Sequence, residues 1–210
     1  MPTRVISTTH VDALTLAAAL LDAQNVIAAP TDTVYGLVCA YDSVAAIDAL
    51  YEAKGRPPEK ALPILLAGED QLDQVVAEVS ALARGLMAAF WPGPLTLVLP
   101  GLPHLPARLT AGMTSVAVRV PDHPVLRALA QRSGPLASSS ANRSGGPDTA
   151  SAQAVLAQLD SLVPLILDGG AAPVGIPSTV LDLTKPEPVI LREGPIGDRV
   201  RAFLSAQSVP

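Results

Sequence analysis

The apolar positions of this chain change their period repeatedly, and each change marks an element. Val11, Leu14, Leu16, Ala18, Leu20 and Leu21 give the apolar spacing of an amphipathic helix predicted over 11–24, with Thr9 or Asp12 as its cap. Residues 26–29 are a short apolar run stopped by Pro30, the mark of a buried strand. A second helix is predicted over 43–54, capped by Ser43 and stopped by Gly55. A strand follows at 62–66, then helical spacing over 69–76 and 80–90. Trp91-Pro92-Gly93-Pro94 ends the second of these before a strand at 95–99. Residues 115–121 alternate, with Val116, Val118 and Val120 on one face and Ser115, Ala117 and Arg119 on the other. The remainder reads as a helix at 123–132, a short strand at 135–137, a helix at 150–159, strands at 165–167, 176–183 and 189–192, and a helix at 197–204.

Strands and helices alternate with short links, about seven strands and six or seven helices. That pattern predicts a three-layer α/β domain on a mixed sheet, one unit over 1–210. The 21 prolines fall at segment edges and act as punctuation, not as a disordered tract. Polar loops follow successive strands, so they can meet in one cleft.

Composition narrows the chemistry. With 210 residues, 49% of them hydrophobic, the chain can bury a large core. A net charge of −5 argues against a broad basic face for nucleic acid but leaves room for a local basic cleft. The single cysteine, Cys39, excludes a disulfide framework and a multi-thiolate metal site; it reads as a small buried hydrophobe. His10, His104 and His123 show no metal-ligand spacing. Residues 1–10 lack a signal-peptide pattern and no apolar run reaches the length of a membrane span, so the expected compartment is the cytoplasm.

The scarce cations are concentrated. The chain has three lysines, and two of them lie in Lys54-Gly55-Arg56-Pro57-Pro58-Glu59-Lys60. Glycine and two prolines make this a stiff loop, suited to an anion because Arg grips phosphate or carboxylate with parallel hydrogen bonds. The plain alternative is a solvated turn in which Lys54 complements a helix C-terminus. Thr31-Asp32-Thr33 follows a buried strand, a place for ligands or for a capped turn. Arg119, on a face of small residues, needs an anionic partner: a structural carboxylate or a ligand. Ser138–Ser140, Asn142, Ser144, Gly145 and Gly146 form a donor-rich stretch without P-loop spacing; it cradles a nucleotide or is a flexible polar loop. Trp91 reads as packing beside a tight turn.

Taken together these segments resemble one family, the YrdC/TsaC-type threonylcarbamoyl-AMP synthases. The matching stretches are Pro30-Thr31-Asp32-Thr33-Val34-Tyr35-Gly36-Leu37, Lys54-Gly55-Arg56-Pro57, Trp91-Pro92-Gly93-Pro94-Leu95-Thr96, Val116-Ala117-Val118-Arg119-Val120-Pro121, Ser140-Ala141-Asn142-Arg143-Ser144-Gly145, Ser178-Thr179-Val180-Leu181-Asp182 and Leu191-Arg192-Glu193-Gly194-Pro195. The resemblance implies a twisted mixed sheet flanked by helices around a positive cleft. It also implies that L-threonine, bicarbonate and ATP give threonylcarbamoyl-adenylate and pyrophosphate. A partner complex would then carry the threonylcarbamoyl group to adenosine 37 of tRNA. Because the chain stops soon after Arg192, the short, single-domain form is expected.

By the same resemblance Lys54 and Arg56 neutralise the carbamate and phosphates, and Arg56 and Lys60 hold ATP. Arg119 pairs with the threonine carboxylate, while Thr33, Ser138 and Ser178 contact threonine or the carbamate. Ser115, Ser140, Asn142, Asp148 and Arg192 surround the nucleotide. Magnesium is expected on the triphosphate, with few dedicated protein ligands. No nucleophile is paired with a base, which argues against a covalent enzyme intermediate. Lys54→Ala and Arg56→Ala are expected to abolish pyrophosphate release and leave the fold intact. One departure is Leu65, where some relatives carry histidine; Ser138 stands where others have Thr or Ala. Two other readings use the same residues: a module that adenylates carbamoyl phosphate within a carbamoyltransferase system, and an RNA-binding maturation factor. Weak RNA binding is compatible with all three.

Overall fold

The computed structural model describes residues 2–207. Ten strands form one mixed sheet: β1 (Arg4–Ser7), β2 (Ile27–Ala29), β3 (Gly36–Ala40), β4 (Ile64–Leu65), β5 (Leu95–Pro100), β6 (Ser115–Arg119), β7 (Leu136–Ser140), β8 (Leu165–Asp168), β9 (Thr179–Asp182) and β10 (Val189–Arg192). Their order across the sheet is β1-β8-β2-β3-β7-β4-β6-β5-β9-β10. β1 pairs parallel to β8, β4 to β6 and β5 to β9, whereas β3 runs antiparallel to both β2 and β7. The helices are α1 (Ala13–Asp22), α2 (Val44–Lys54), α3 (Ala81–Phe90), α4 (Ala107–Thr110), α5 (Pro124–Ser133), α6 (Ala152–Leu159) and α7 (Gly197–Gln207).

Side-chain alternation along the strands sorts the core into two layers. Ile27, Ala29, Val38, Leu65, Leu136, Leu165 and Leu167 pack with Ala17 and Leu21 of α1 and Leu126 and Leu129 of α5. The opposite face, with Ala28, Leu37, Cys39, Ile64, Leu97 and Val118, packs against Ile47 and Leu50 of α2, Leu86 and Met87 of α3, Val155 of α6 and Val200 of α7. This is the expected three-layer α/β arrangement. Cys39 is fully buried, and burial pushes its thiol up to about 12, so it is an inert packing residue.

Helix ends follow the local chemistry. Ser43, Ser80 and Ser151 each accept a hydrogen bond from the backbone N–H three residues on, closing the first turns of α2, α3 and α6. Gly55 ends α2 in the left-handed region at φ 64°. Asp12 stands at the start of α1, but its side chain makes no capping bond.

Several expectations are corrected. The sheet has ten strands among the described residues, not about seven. β1 escapes notice because four mostly exposed residues at an edge carry no apolar alternation. β3 is buried nearly throughout, so its glycine-led run shows no period. Residues 69–76 do not form an α-helix: Glu69–Gln74 is a 3-10 turn, and Val76 bridges to Gly101. The short α4 was not foreseen, since four residues carry no period. Among the described residues no helix is long and apolar enough to cross a membrane.

Candidate functional site

The cleft lies where one layer of helices runs out. α1 and α5 cover the sheet face over β8, β2, β3 and β7. On the same face, β6, β5 and β9 present Ser115, Ala117, Arg119, Thr96, Val98, Val180 and Asp182. These residues are too small and polar to hold a packed helix, so this half of the face stays open. The result is a cleft of about 390 Å³. Strand alternation therefore decides both where the core is and where the cavity is. Gly36 on the cleft floor deepens it, because a Cβ there would lie 3.2 Å from Ser138 Oγ.

Eight of the sequence-predicted residues line this cleft. Thr33, Ser138, Ser140 and Ser178 supply hydroxyls. Arg56, Arg119 and Arg192 supply positive charge, and Ser115 closes one end. The other four do not line it. Lys54 and Asn142 are buried behind Ser140, whereas Lys60 and Asp148 are exposed. Asp148 still acts electrostatically on Lys54 and Arg192.

Arg119 has its carboxylate partner within the protein. Its Nη2 donates to Asp32 Oδ1, its Nε to Gly93 O at 2.9 Å, and its Nη1 to Thr33 Oγ1 at 2.9 Å. Of five guanidinium N–H donors three are used, which leaves two uncommitted on a residue that lines the cleft. The hydroxyl order can be worked out. Thr31 Oγ1 donates to Val34 O at 2.7 Å, so the 2.9 Å contact between Thr31 and Thr33 has Thr33 as donor. Thr33 Oγ1 therefore accepts from Arg119, donates to Thr31 and keeps one lone pair. Burial lowers the basicity of Arg119 and Asp32 opposes that shift; arginine stays cationic throughout.

Arg192 on β10 reaches across to the 177–179 turn. Its Nε donates to Ser178 O at 2.9 Å and its Nη2 to Ser178 Oγ at 3.0 Å. Ser178 Oγ also meets Thr96 Oγ1 at 2.8 Å. The turn is held from behind by Gly194, where a Cβ would fall 2.3 Å from Thr179 N. Arg56 folds back on its own loop, donating from Nε to Lys60 O at 3.1 Å and from Nη2 to Ala61 O at 2.8 Å.

Lys54 is a hub, not a loop cation. Its Nζ donates toward Ser140 O at 2.7 Å, Ser140 Oγ at 3.3 Å, Asn142 O at 2.9 Å and Asn142 Oδ1 at 2.7 Å. Ser144 N returns a bond to Lys54 O at 2.9 Å. The serine-rich stretch is thus clasped to the end of α2 and is not a flexible loop. Burial, then the Arg56 charge, lowers Lys54 to about 8.

Sequence reasoning offered Thr31 and Asp32 as a place for ligands or a capped turn but missed that Asp32 pairs with Arg119, and it missed the parts played by Thr96 and the Gly93 carbonyl. The unmet charge of Arg119 called for an acid, but Asp32 lies 87 residues away and reads locally as a capping residue. Trp91, expected as packing, also donates from Nε1 to Leu95 O at 2.7 Å beside the turn that carries Gly93.

The chain is similar to known proteins over most of its length. It is 45% identical over 182 residues to a threonylcarbamoyl-AMP synthase of Bacillus subtilis, covering 86% of this chain and 53% of that protein. A threonylcarbamoyl-AMP synthase of Chromohalobacter salexigens is 43% identical, with 84% of this chain and 95% of that protein covered. The crystal structure of Pyrococcus abyssi Sua5 complexed with L-threonine superposes with a TM-score of 0.92 at 37% identity, over 96% of this chain and 61% of that one. The chain spans about half the length of the first curated relatives it matches, 53% in the Bacillus subtilis case. The family model Sua5/YciO/YrdC, described as telomere recombination, matches residues 19–194. On that match and these identities, the chain belongs to the Sua5/YciO/YrdC family.

Proposed function

We propose that this protein is a nucleotidyltransferase that makes threonylcarbamoyl-adenylate and pyrophosphate from L-threonine, bicarbonate and ATP. The observation that carries the reading is three guanidiniums, Arg56, Arg119 and Arg192, converging with the hydroxyls of Thr33, Ser138, Ser140 and Ser178 on one cleft. Such a site suits the meeting of several anions, whose repulsion fixed charges and donors offset. The relatives that carry the name threonylcarbamoyl-AMP synthase support the same reading.

In this reading the threonine amine attacks bicarbonate carbon and water leaves, giving a carbamate. A carbamate oxygen then attacks the α-phosphorus, and the bond to the β-phosphate oxygen breaks with its electron pair going to pyrophosphate. The two spare N–H groups of Arg119 and the free lone pair of Thr33 suit a carboxylate and a hydroxyl of the amino acid. Arg56 and Arg192 face the triphosphate with Ser115 and Ser140 beside it, and Lys60 and Asp148 approach from the rim. Lys54 and Asn142 hold Ser140 in place from behind. Magnesium would come with ATP and supply charge neutralisation of the triphosphate. Among the described residues no three His, Cys, Asp or Glu side chains group together as a metal site. The product would pass to a tRNA threonylcarbamoyl-transfer complex.

The test is incubation with ATP, bicarbonate and L-threonine, with mass spectrometry for threonylcarbamoyl-adenylate. Pyrophosphate release that ignores threonine but responds to carbamoyl phosphate would overturn the proposal in favour of a carbamoyl-adenylating module.

A further inference from the structure

Arg56 owes its direction to a residue outside the cleft. Residues 56–61 contain two prolines and one backbone-bonded turn, Lys60 N to Pro57 O at 3.2 Å, so side-chain contacts must supply the rest of what holds the loop. Tyr51, on α2 and only 3% exposed, sits directly beneath it. Its hydroxyl contacts Lys60 O at 2.8 Å and Arg108 O at 3.2 Å. Lys60 O is also the acceptor for Arg56 Nε at 3.1 Å. A carbonyl has two lone pairs, so Lys60 O can accept from the phenol and the guanidinium together. The phenol thereby orients the carbonyl that aims Arg56. Tyr51 is itself immobilised: the Arg108 guanidinium lies 4.2 Å over its ring and pairs with Asp48, and the backbone binds Arg56 N to Tyr51 O at 2.9 Å.

We infer that Tyr51, braced by Arg108 and Asp48, is a positioning residue that sets the cationic loop so that Arg56 points into the cleft. The inference deepens the proposed function, since what Arg56 would meet there is the polyphosphate of ATP. Tyr51→Phe removes only the hydroxyl and keeps the ring under Arg108.

The experiment compares wild type, Tyr51→Phe, Arg56→Ala and the double variant, with ATP affinity read by calorimetry and native tryptic cleavage after Lys60 read by mass spectrometry. Tyr51→Phe should weaken ATP binding about tenfold and speed cleavage after Lys60 severalfold. The double variant should lose less ATP affinity than the sum of the two single losses, because the phenol acts through that arginine and through Lys60 on the same loop. Additive losses, or an unchanged affinity and cleavage rate in Tyr51→Phe, would overturn the inference. If wild type binds no ATP, the proposed function fails, while the cleavage rates still decide whether Tyr51 holds the loop.

Discussion

Lys54 Nζ lies 2.7 Å from Asn142 Oδ1, and this contact joins the end of α2 to a turn 88 residues later in the chain. Asn142 Oδ1 also accepts from Ser140 Oγ at 2.7 Å, and Asn142 Nδ2 donates to Gly146 O at 2.7 Å. One buried ammonium therefore organises the whole serine-rich wall of the cleft.

Lys54→Ala should accordingly cost stability as well as activity, contrary to the expectation from sequence that the fold stays intact. The variant removes the charged donor from four oxygens; Ser140 O keeps Asn142 N and Asn142 Oδ1 keeps Ser140 Oγ, but Asn142 O loses the ammonium at 2.9 Å, a loss of about 1–3 kcal/mol. Urea unfolding measures it. A midpoint equal to wild type would make Lys54 an anion ligand and not a clasp.

The same residue gives opposite pH trends for activity and stability. Lys54 is lowered from 10.5 to about 8, first by burial and then by Arg56, with Asp148 pulling the other way. Deprotonation removes the charge and one of the three N–H donors that Nζ shares among four oxygens, so the clasp weakens and turnover that needs the serine wall declines as pH rises through about 8. Between about 8 and 10.5 the unfolded chain holds the proton that the folded chain has lost. Stability from this group therefore rises with pH across that window, is complete above it, and is lost as pH falls through the folded value. A pH profile of kcat/KM beside urea midpoints at the same pH values checks the two slopes. A flat profile across the window would remove the ammonium from the mechanism.

Arg119 and Asp32 should behave as a coupled pair. Both are nearly sealed, at 5% and 6% exposure, so removing either one strands a buried charge at a cost of about 3–5 kcal/mol. The double variant Asp32→Ala/Arg119→Ala should be less unstable than the sum of the single losses, with a coupling of about 2 kcal/mol in thermal unfolding. Asp32→Asn keeps the shape and should raise the KM for L-threonine more than that for ATP. Equal rises in both would mean that Arg119 does not act on the amino acid alone.

Gly194→Ala tests the turn that carries Ser178. The new Cβ would sit 2.3 Å from Thr179 N and 2.5 Å from the Ser178 carbonyl carbon, and both are backbone atoms that cannot swing aside. The turn must shift, moving Ser178 from Arg192. A loss of about 1–3 kcal/mol in stability is expected, together with a fall in kcat/KM of at least tenfold. Wild-type kcat/KM with a lowered Tm would show that the position of Ser178 is unimportant.

Local chemistry made much of this protein readable. The Ser43 cap, the glycine stop after Lys54 and the valine alternation at 116–120 each depend on neighbours within a few residues, and each stands where the sequence puts it. β1, β3 and α4 were not readable for the converse reason. An edge strand, a strand buried on both faces and a single helical turn carry no period of their own.

The sequence by itself determined the three-layer class, the positions of most elements and the set of polar segments that meet at the cleft. Short-range periodicity and turn chemistry are enough for that. Only the tertiary structure decided what each cation does. Lys54 and Arg56 are two residues apart, yet one is sealed against four oxygens behind the serine wall and the other lines the cleft. A charge takes its role from the acceptors around it, and here strands and loops far away in the chain supply most of them.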